Sequence, residues 1–312
     1  MLSALAGGVG AARFLRGLVD VVDPESVTAI VNTGDDDRFH GLHVSPDLDS
    51  VTYALADANN RELGWGLAGE TFAAMDALDR YGVATWFRLG DRDLATHLFR
   101  TQRLAAGIPL HAVTAEITTA WGLHTRLLPM SNDSVMTRIR VQRDDGTTEE
   151  LAMQEWFVRE HTEPPVLDVR FAGAPDARPA PGVLEALEAA ETILLCPSNP
   201  VISIGPILAV PGIREVLVRR RDRVVGVSPI IAGRPVKGPA DRLMGPLGID
   251  VSCVGVARAY RELCGTLVID RADAADAPAV ERLGVRAIVA DTLMRDARIA
   301  AALASDVLAA VA

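Results

Sequence analysis

The chain opens on an apolar run, Leu2 to Ala6, followed by Gly7, Gly8 and Gly10 and then by a helical pattern. In that pattern, Ala11 to Val19, the residues Phe14, Leu15 and Leu18 share one face. The order predicts a buried strand, a loop almost free of side chains, and a helix that ends near Asp23-Pro24. A β-branched run, Ser26 to Asn32, supplies a second strand and completes a right-handed βαβ unit. Helical patterns follow from Val51, over Phe72 to Tyr81 and over Leu94 to Leu104, with a short strand expected at Val83 to Leu89. The pattern then changes. Thr114 to Thr119, Leu123 to Leu128 and Val135 to Gln142 read as extended, and Asp145-Gly146 is a hairpin turn before the strand pattern resumes at Thr148. Alternation returns with a helix over Val183 to Ala190 and strands at Ile193 to Cys196 and Arg223 to Val227. Two more strands, Thr266 to Asp270 and Arg286 to Ala290, flank a helix at Ala279 to Leu283. The fold expected is α/β: one domain over residues 1–312, a Rossmann-like parallel sheet flanked by helices. A β-rich insertion near residues 112–172 is expected to cover the site.

Composition agrees with this pattern. Hydrophobic residues make up 49% of the 312 and aromatics 4%, the Ala, Val and Leu balance of a sheet covered on both faces. The formal net charge of −10 argues against a general nucleic-acid binder, and Arg138 to Arg143 reads as a solvated strand face. Cys196, Cys253 and Cys264 have no metal-ligand spacing and point to a reducing compartment without a zinc site. No apolar run reaches the roughly 18 residues that span a bilayer. The first apolar run is broken by glycines and reads as a strand rather than a signal peptide. A soluble, cytoplasmic protein is expected.

Strand, glycine loop and helix form a phosphate cradle: bare amides approach the oxygens, and the helix N-terminus adds partial positive charge. Gly7, Gly8 and Gly10 are the candidates. Gly8-Val9-Gly10-Ala11-Ala12-Arg13 has Arg13 where a dinucleotide fingerprint needs its third glycine, and no Gly-Lys-Ser/Thr follows. The loop therefore indicates phosphate without naming a nucleotide. Past the second strand stands Asn32-Thr33-Gly34-Asp35-Asp36-Asp37, and Ser45-Pro46-Asp47-Leu48-Asp49-Ser50 opens the next helix. Two groups of carboxylates beside a phosphate loop suit Mg²⁺, which takes one or two carboxylates plus substrate phosphates. Asp36, Asp47 and Asp49 are the candidate ligands, with Asp36 and Asp49 the candidate catalytic residues; which ligates and which accepts a proton stays open. Asn32, Ser198, Asn199, Arg234 and Lys237 are candidates for the nucleotide end. Arg88 suits bidentate phosphate recognition, while Arg92 and Arg100 read as partners of surface acids. The aromatics of Gln154 to Arg159 read as core.

Taken in order, these loops resemble the transferases that make the phosphodiester bond in coenzyme F-420 biosynthesis, the 2-phospho-L-lactate and phosphoenolpyruvate transferases. The matching stretches include Gly7 to Arg13, Asn32 to Asp36, Pro46 to Ser50, Trp65 to Leu67 and Leu89 to Asp93. Ser131 to Asp133, Gln154 to Val158, Cys196 to Pro200 and Ser228 to Ile230 continue the series. The resemblance implies two substrates, a guanosine diphosphate ester of lactate or enolpyruvate and the 5-deazaflavin Fo. The ribityl hydroxyl of Fo attacks the phosphorus, GMP leaves, and Mg²⁺ is the cofactor. The family's deazaflavin contacts fall on Asp49 and Arg88, and Asn132 joins them as a candidate. The Ala- and Arg-rich composition favours the enolpyruvyl donor, and the apolar composition is compatible with a homodimer. A different reading is a nucleotide-sugar-binding regulator that shares the glycine loop but does not catalyse. A nicotinamide dehydrogenase fits less well, given Arg13 and Asn32.

Overall fold

The computed structural model describes residues 1–62 and 64–310. Its body begins with β1 (Leu2–Ala6), α1 (Gly8–Leu18) and β2 (Val27–Val31), then α2 (Pro46–Leu55), α3 (Ala73–Asp79), α4 (Asp93–Ala105), α5 (Leu110–Ala120) and β3 (Arg126–Pro129). An antiparallel unit follows, β4 (Met136–Gln142), β5 (Thr148–Ala152) and β6 (Val166–Ala172), with a π-helical turn at Glu155–Arg159. The remainder is α6 (Val183–Ala189), β7 (Thr192–Leu195), α7 (Gly205–Ala209), α8 (Ile213–Arg219), β8 (Val224–Val227), α9 (Ala240–Met244) and α10 (Cys253–Tyr260). It closes with β9 (Thr266–Asp270), α11 (Ala277–Glu281), β10 (Arg286–Ala290) and α12 (Ala297–Ala309).

The seven body strands lie in the order β10-β9-β8-β7-β1-β2-β3, all parallel. β1 sits at the switch point, with Leu2 opposite Val27 on one side and Thr192 on the other. Strand alternation divides the core in two. Ala4, Ala6, Val27, Ala29 and Val31 face Phe14, Leu15 and Leu18 of α1, with Leu303 and Val307 of α12. Leu5, Ile30, Ile193 and Leu195 face the opposite layer with α6, α8, α10 and the antiparallel unit. Both faces are therefore apolar, as an all-parallel sheet requires. The alanines of β1 and Gly17 of α1 let helix, strand and α12 approach closely.

Three local expectations are corrected. Residues 114–119 form the middle of α5, not a strand. The β-branched residues suggested extension, but Leu110, Val113, Thr114, Ile117 and Thr118 are buried at helical spacing. The Thr114 and Thr118 hydroxyls donate to the carbonyls of Leu110 and Ala115, which makes them tolerable in a helix. Residues 83–89 form no strand. Phe87 instead stacks on Phe39 with ring centroids 3.7 Å apart, and Trp86 meets Phe39 edge-on. Finally, the β-rich insertion is residues 136–172; residues 126–129 add to the body as its edge strand, paired with β2. No single helix among the described residues is long and apolar enough to cross a membrane.

Candidate active site

The carboxyl ends of β1, β2, β7, β8 and β10 open into one cleft of about 560 Å³. Ligands in open parallel sheets bind at this edge, near the switch point. Gly7, Gly8, Gly10 and Arg13 form its floor beside Ser198, Asn199 and Ser203, while Asp35, Asp47 and Asp49 form one wall. The lining also carries four aromatic residues, Trp65, Trp86, Phe87 and Phe157. The chain before the site is shaped to pass close to others. Gly10 faces the Pro197 carbonyl, and the Ser198 hydroxyl donates to the Gly7 carbonyl at 2.8 Å. Gly8 has a φ of +72°, the left-handed region that favours glycine.

The acids are held by short local contacts. Asp47, in the first turn of α2, accepts from the Gly8 amide at 2.7 Å and from Asn32 Nδ2 at 2.9 Å. One amide of the glycine loop is thus spent on a carboxylate. Asn32 is fully buried; its Nδ2 also reaches Asp35 Oδ2 at 3.3 Å, and its Oδ1 accepts from the Gly34 amide. It brackets the two acids and does not itself line the cleft. Burial pushes the Asp47 carboxyl up to about 6, although the Asn32 and Gly8 hydrogen bonds oppose the shift. Burial, and then the charge of Asp47, raise Asp35 well above the ordinary carboxylate range. Asp35 Oδ1 is buried and accepts no hydrogen bond. Two crowded carboxylates, one with an orphaned oxygen, form an all-oxygen donor set that fits a hard divalent cation.

Asp49 lies two positions farther along α2, turned to a different side of the helix, and has a different partner. Both its oxygens accept from Arg100, Oδ2 from Nη1 at 3.1 Å and Oδ1 from Nη2. Arg100 is buried on α4 and is not a partner of surface acids, as its sequence context suggested. Asp49, Asp93 and His97 bring ligand atoms within 4.8 Å of one another. The guanidinium already supplies positive charge to Asp49, which makes that trio a poor cation site. Burial pushes Asp93 up, but His97, the Tyr53 hydroxyl and Arg100 outweigh it and hold the carboxyl below its usual range.

The other expected residues divide. Arg88 lines the cleft, with Nη2 on Asp76 Oδ1 at 2.6 Å and its guanidinium over the Phe72 ring. Lys237 lines it too; burial, and then Arg13, lower its ammonium. Arg13 and Lys237 thus make a cationic corner beside Gly8 and Gly10. Asp36, in contrast, is not in the lining: its Oδ2 accepts from Ser45 Oγ at 2.6 Å and lies 3.2 Å from His43 Nε2. Its neighbour Asp35 takes the cleft position. Asn132 is also outside, its Oδ1 accepting from the His111 amide at the start of α5. Arg234 is exposed on the hairpin of residues 230–235 and does not reach the lining. Trp156 is core as expected, fully buried with its indole donating to the Pro164 carbonyl, whereas Phe157 turns into the cleft.

Residues 2–293 match the family model described as 2-phospho-L-lactate transferase CofD. The chain belongs to this family of transferases. A phosphoenolpyruvate transferase of Kitasatospora aureofaciens is 46% identical over 309 residues, covering 98% of this chain and 96% of that one. A phosphoenolpyruvate transferase of Streptomyces griseus is 45% identical over 306 residues, covering 97% and 96%. A 2-phospho-L-lactate transferase of Methanosarcina acetivorans is 41% identical over 290 residues, covering 93% and 92%. Among solved structures, the BH3568 protein of Bacillus halodurans, described as a member of the UPF0052 family, superposes with a TM-score of 0.62. It is 19% identical, covers 98% of both chains, and shows the fold alone.

Proposed function

We propose that this protein transfers a phosphoenolpyruvyl group from a guanosine diphosphate ester to the ribityl hydroxyl of the deazaflavin Fo, releasing GMP. The observation that carries the reading is the lining of the cleft. It has the glycine floor, the α1 N-terminus, Arg13 and Lys237, which suit a diphosphate. The lining also has Trp86, Phe87 and Phe157, with Arg88 beside them, which suit a flat fused ring bearing polar groups. In this reading the acids stand where the hydroxyl and the phosphorus would meet. The relatives named phosphoenolpyruvate transferase support the enolpyruvyl donor over the lactyl one.

In this reading Asp35 and Asp47 would hold Mg²⁺, which would supply positive charge to the diphosphate. Arg13 and Lys237 hold the nucleotide diphosphate, and Ser198 and Asn199 border it. Asp49 accepts the hydrogen bond of the attacking hydroxyl, and Arg88 orients the ring. Displacement at phosphorus needs alignment and charge neutralisation more than a covalent intermediate, and these residues provide both. The test mixes protein, deazaflavin and Mg²⁺ with the guanylated esters of enolpyruvate and lactate in turn and weighs the products. The enolpyruvyl adduct and GMP are expected. No adduct with either ester, or no quenching of deazaflavin fluorescence on titration with protein, defeats the reading.

A further inference from the structure

We propose that Arg100 and His97, anchored by Asp93, are positioning residues that fix the Asp49 carboxylate at the cleft wall for the acceptor hydroxyl. This inference rests on the transfer proposed above. The argument begins with donor chemistry. A guanidinium has only donors, and Arg100 Nη1 lies 3.4 Å from His97 Nδ1 while also donating to Asp49 Oδ2 at 3.1 Å. Nδ1 is therefore the acceptor, and the ring proton belongs on Nε2. That nitrogen lies 3.3 Å from Asp93 Oδ2, within ion-pair reach but without hydrogen-bond geometry. The other oxygen, Asp93 Oδ1, accepts from the Tyr53 hydroxyl at 2.5 Å. Polar contacts thus run from Tyr53 through Asp93, His97 and Arg100 to Asp49.

The chain carries this order through helix spacing. Asp93, His97 and Arg100 are one and two turns apart on α4, while Asp49 and Tyr53 are one turn apart on α2. Two helices therefore present five polar side chains to one another at a buried contact. A buried ion pair is weak support for stability, since apolar replacement is often neutral or better. Its position against the cleft gives it another use, because Asp49, Asp93, His97 and Tyr53 all line the cleft. A fork that grips both oxygens fixes the carboxylate plane, and a small displacement of a reacting group is costly. The two sets of acids then differ in role. Asp35 and Asp47 have no cationic side chain hydrogen-bonded to them; Asp49 has its cation built in.

The test compares wild type with Arg100→Lys, His97→Ala and His97→Gln in the transfer assay. Lysine keeps the charge and loses the fork, so kcat should fall about 100-fold while the Mg²⁺ half-saturation stays within about twofold. His97→Ala should lose about 10- to 100-fold in kcat. His97→Gln should recover most of that loss, because one amide donates to Asp93 and accepts from Arg100 at once. The inference is overturned if Arg100→Lys turns over at the wild-type rate. It is also overturned if glutamine is no better than alanine, or if Mg²⁺ affinity falls in step with kcat. Thermal melting identifies variants that lose their fold; if Arg100→Lys is one, the His97 pair decides. Wild-type protein that neither binds deazaflavin nor forms adduct defeats the transfer itself, a different failure from an unaffected variant.

Discussion

Gly7 is where one atom decides the most. A Cβ there lies 2.8 Å from Ser203 Cβ, 2.9 Å from Asp47 Oδ2 and 3.2 Å from Asn32 Cβ. Gly7→Ala should therefore cost about 1–3 kcal/mol of stability, measured by denaturant unfolding, and displace Asp47 as well. Asp47 makes its own prediction. Its carboxyl is raised from 3.8 to about 6, so between those values the folded protein holds the proton more tightly than the unfolded chain. The metal-free protein should thus lose stability as pH rises through that window, by roughly 3 kcal/mol on account of this group. Asp35 shifts in the same direction and steepens the fall. Unfolding midpoints of wild type and Asp47→Asn between pH 4 and pH 7 check this, since the variant should have the shallower slope. Residue type and local spacing made the glycines and the acidic clusters readable. The choice of Asp35 over Asp36 was not readable, because adjacent residues point apart and the path of residues 33–37 sets which one faces the cleft.

Among the elements, α1 and α12 depend on each other. A Cβ on Gly17 meets the Ala300 backbone, at 2.4 Å from its carbonyl carbon and 2.6 Å from its oxygen. Backbone cannot move aside as a side-chain end can. Gly17→Ala should lower stability by about 1–3 kcal/mol, read from the melting of purified protein. It should leave deazaflavin binding intact, because this contact is remote from the cleft. The elements themselves were mostly legible: the glycine-bounded βαβ opening, the later alternation and the Asp145-Gly146 hairpin follow from period and turn chemistry. α5 was misread because propensity counts β-branched residues, whereas burial at positions 110, 113, 114, 117 and 118 settles the helix. The aromatic segment at residues 83–89 was misread for a related reason. An apolar run shows that it is buried, not what it is buried against.

For the whole molecule, the cleft should couple ligand to stability. If Mg²⁺ binds the folded protein alone, as proposed, it should raise stability by about 2.7 kcal/mol at a hundredfold excess over Kd. Melting curves with and without Mg²⁺ should show this gain in wild type and lose it in Asp35→Asn and Asp47→Asn. Asp36→Asn should keep it, since that carboxylate lies outside the cleft lining with its Oδ2 held by Ser45 and His43. A gain that vanishes in Asp36→Asn but survives in Asp35→Asn reverses the assignment.

The sequence by itself determined the parallel sheet, the glycine floor and the presence of acids beside it. These follow from contacts within a few residues, which period and turn chemistry encode directly. Only the tertiary structure decided that Arg100 grips Asp49 across 51 positions, that Asn32 brackets Asp35 and Asp47, and that Asn132 and Arg234 stay outside. Such pairings depend on how α2 and α4 pack and where each loop turns, and no local pattern of residues specifies that geometry.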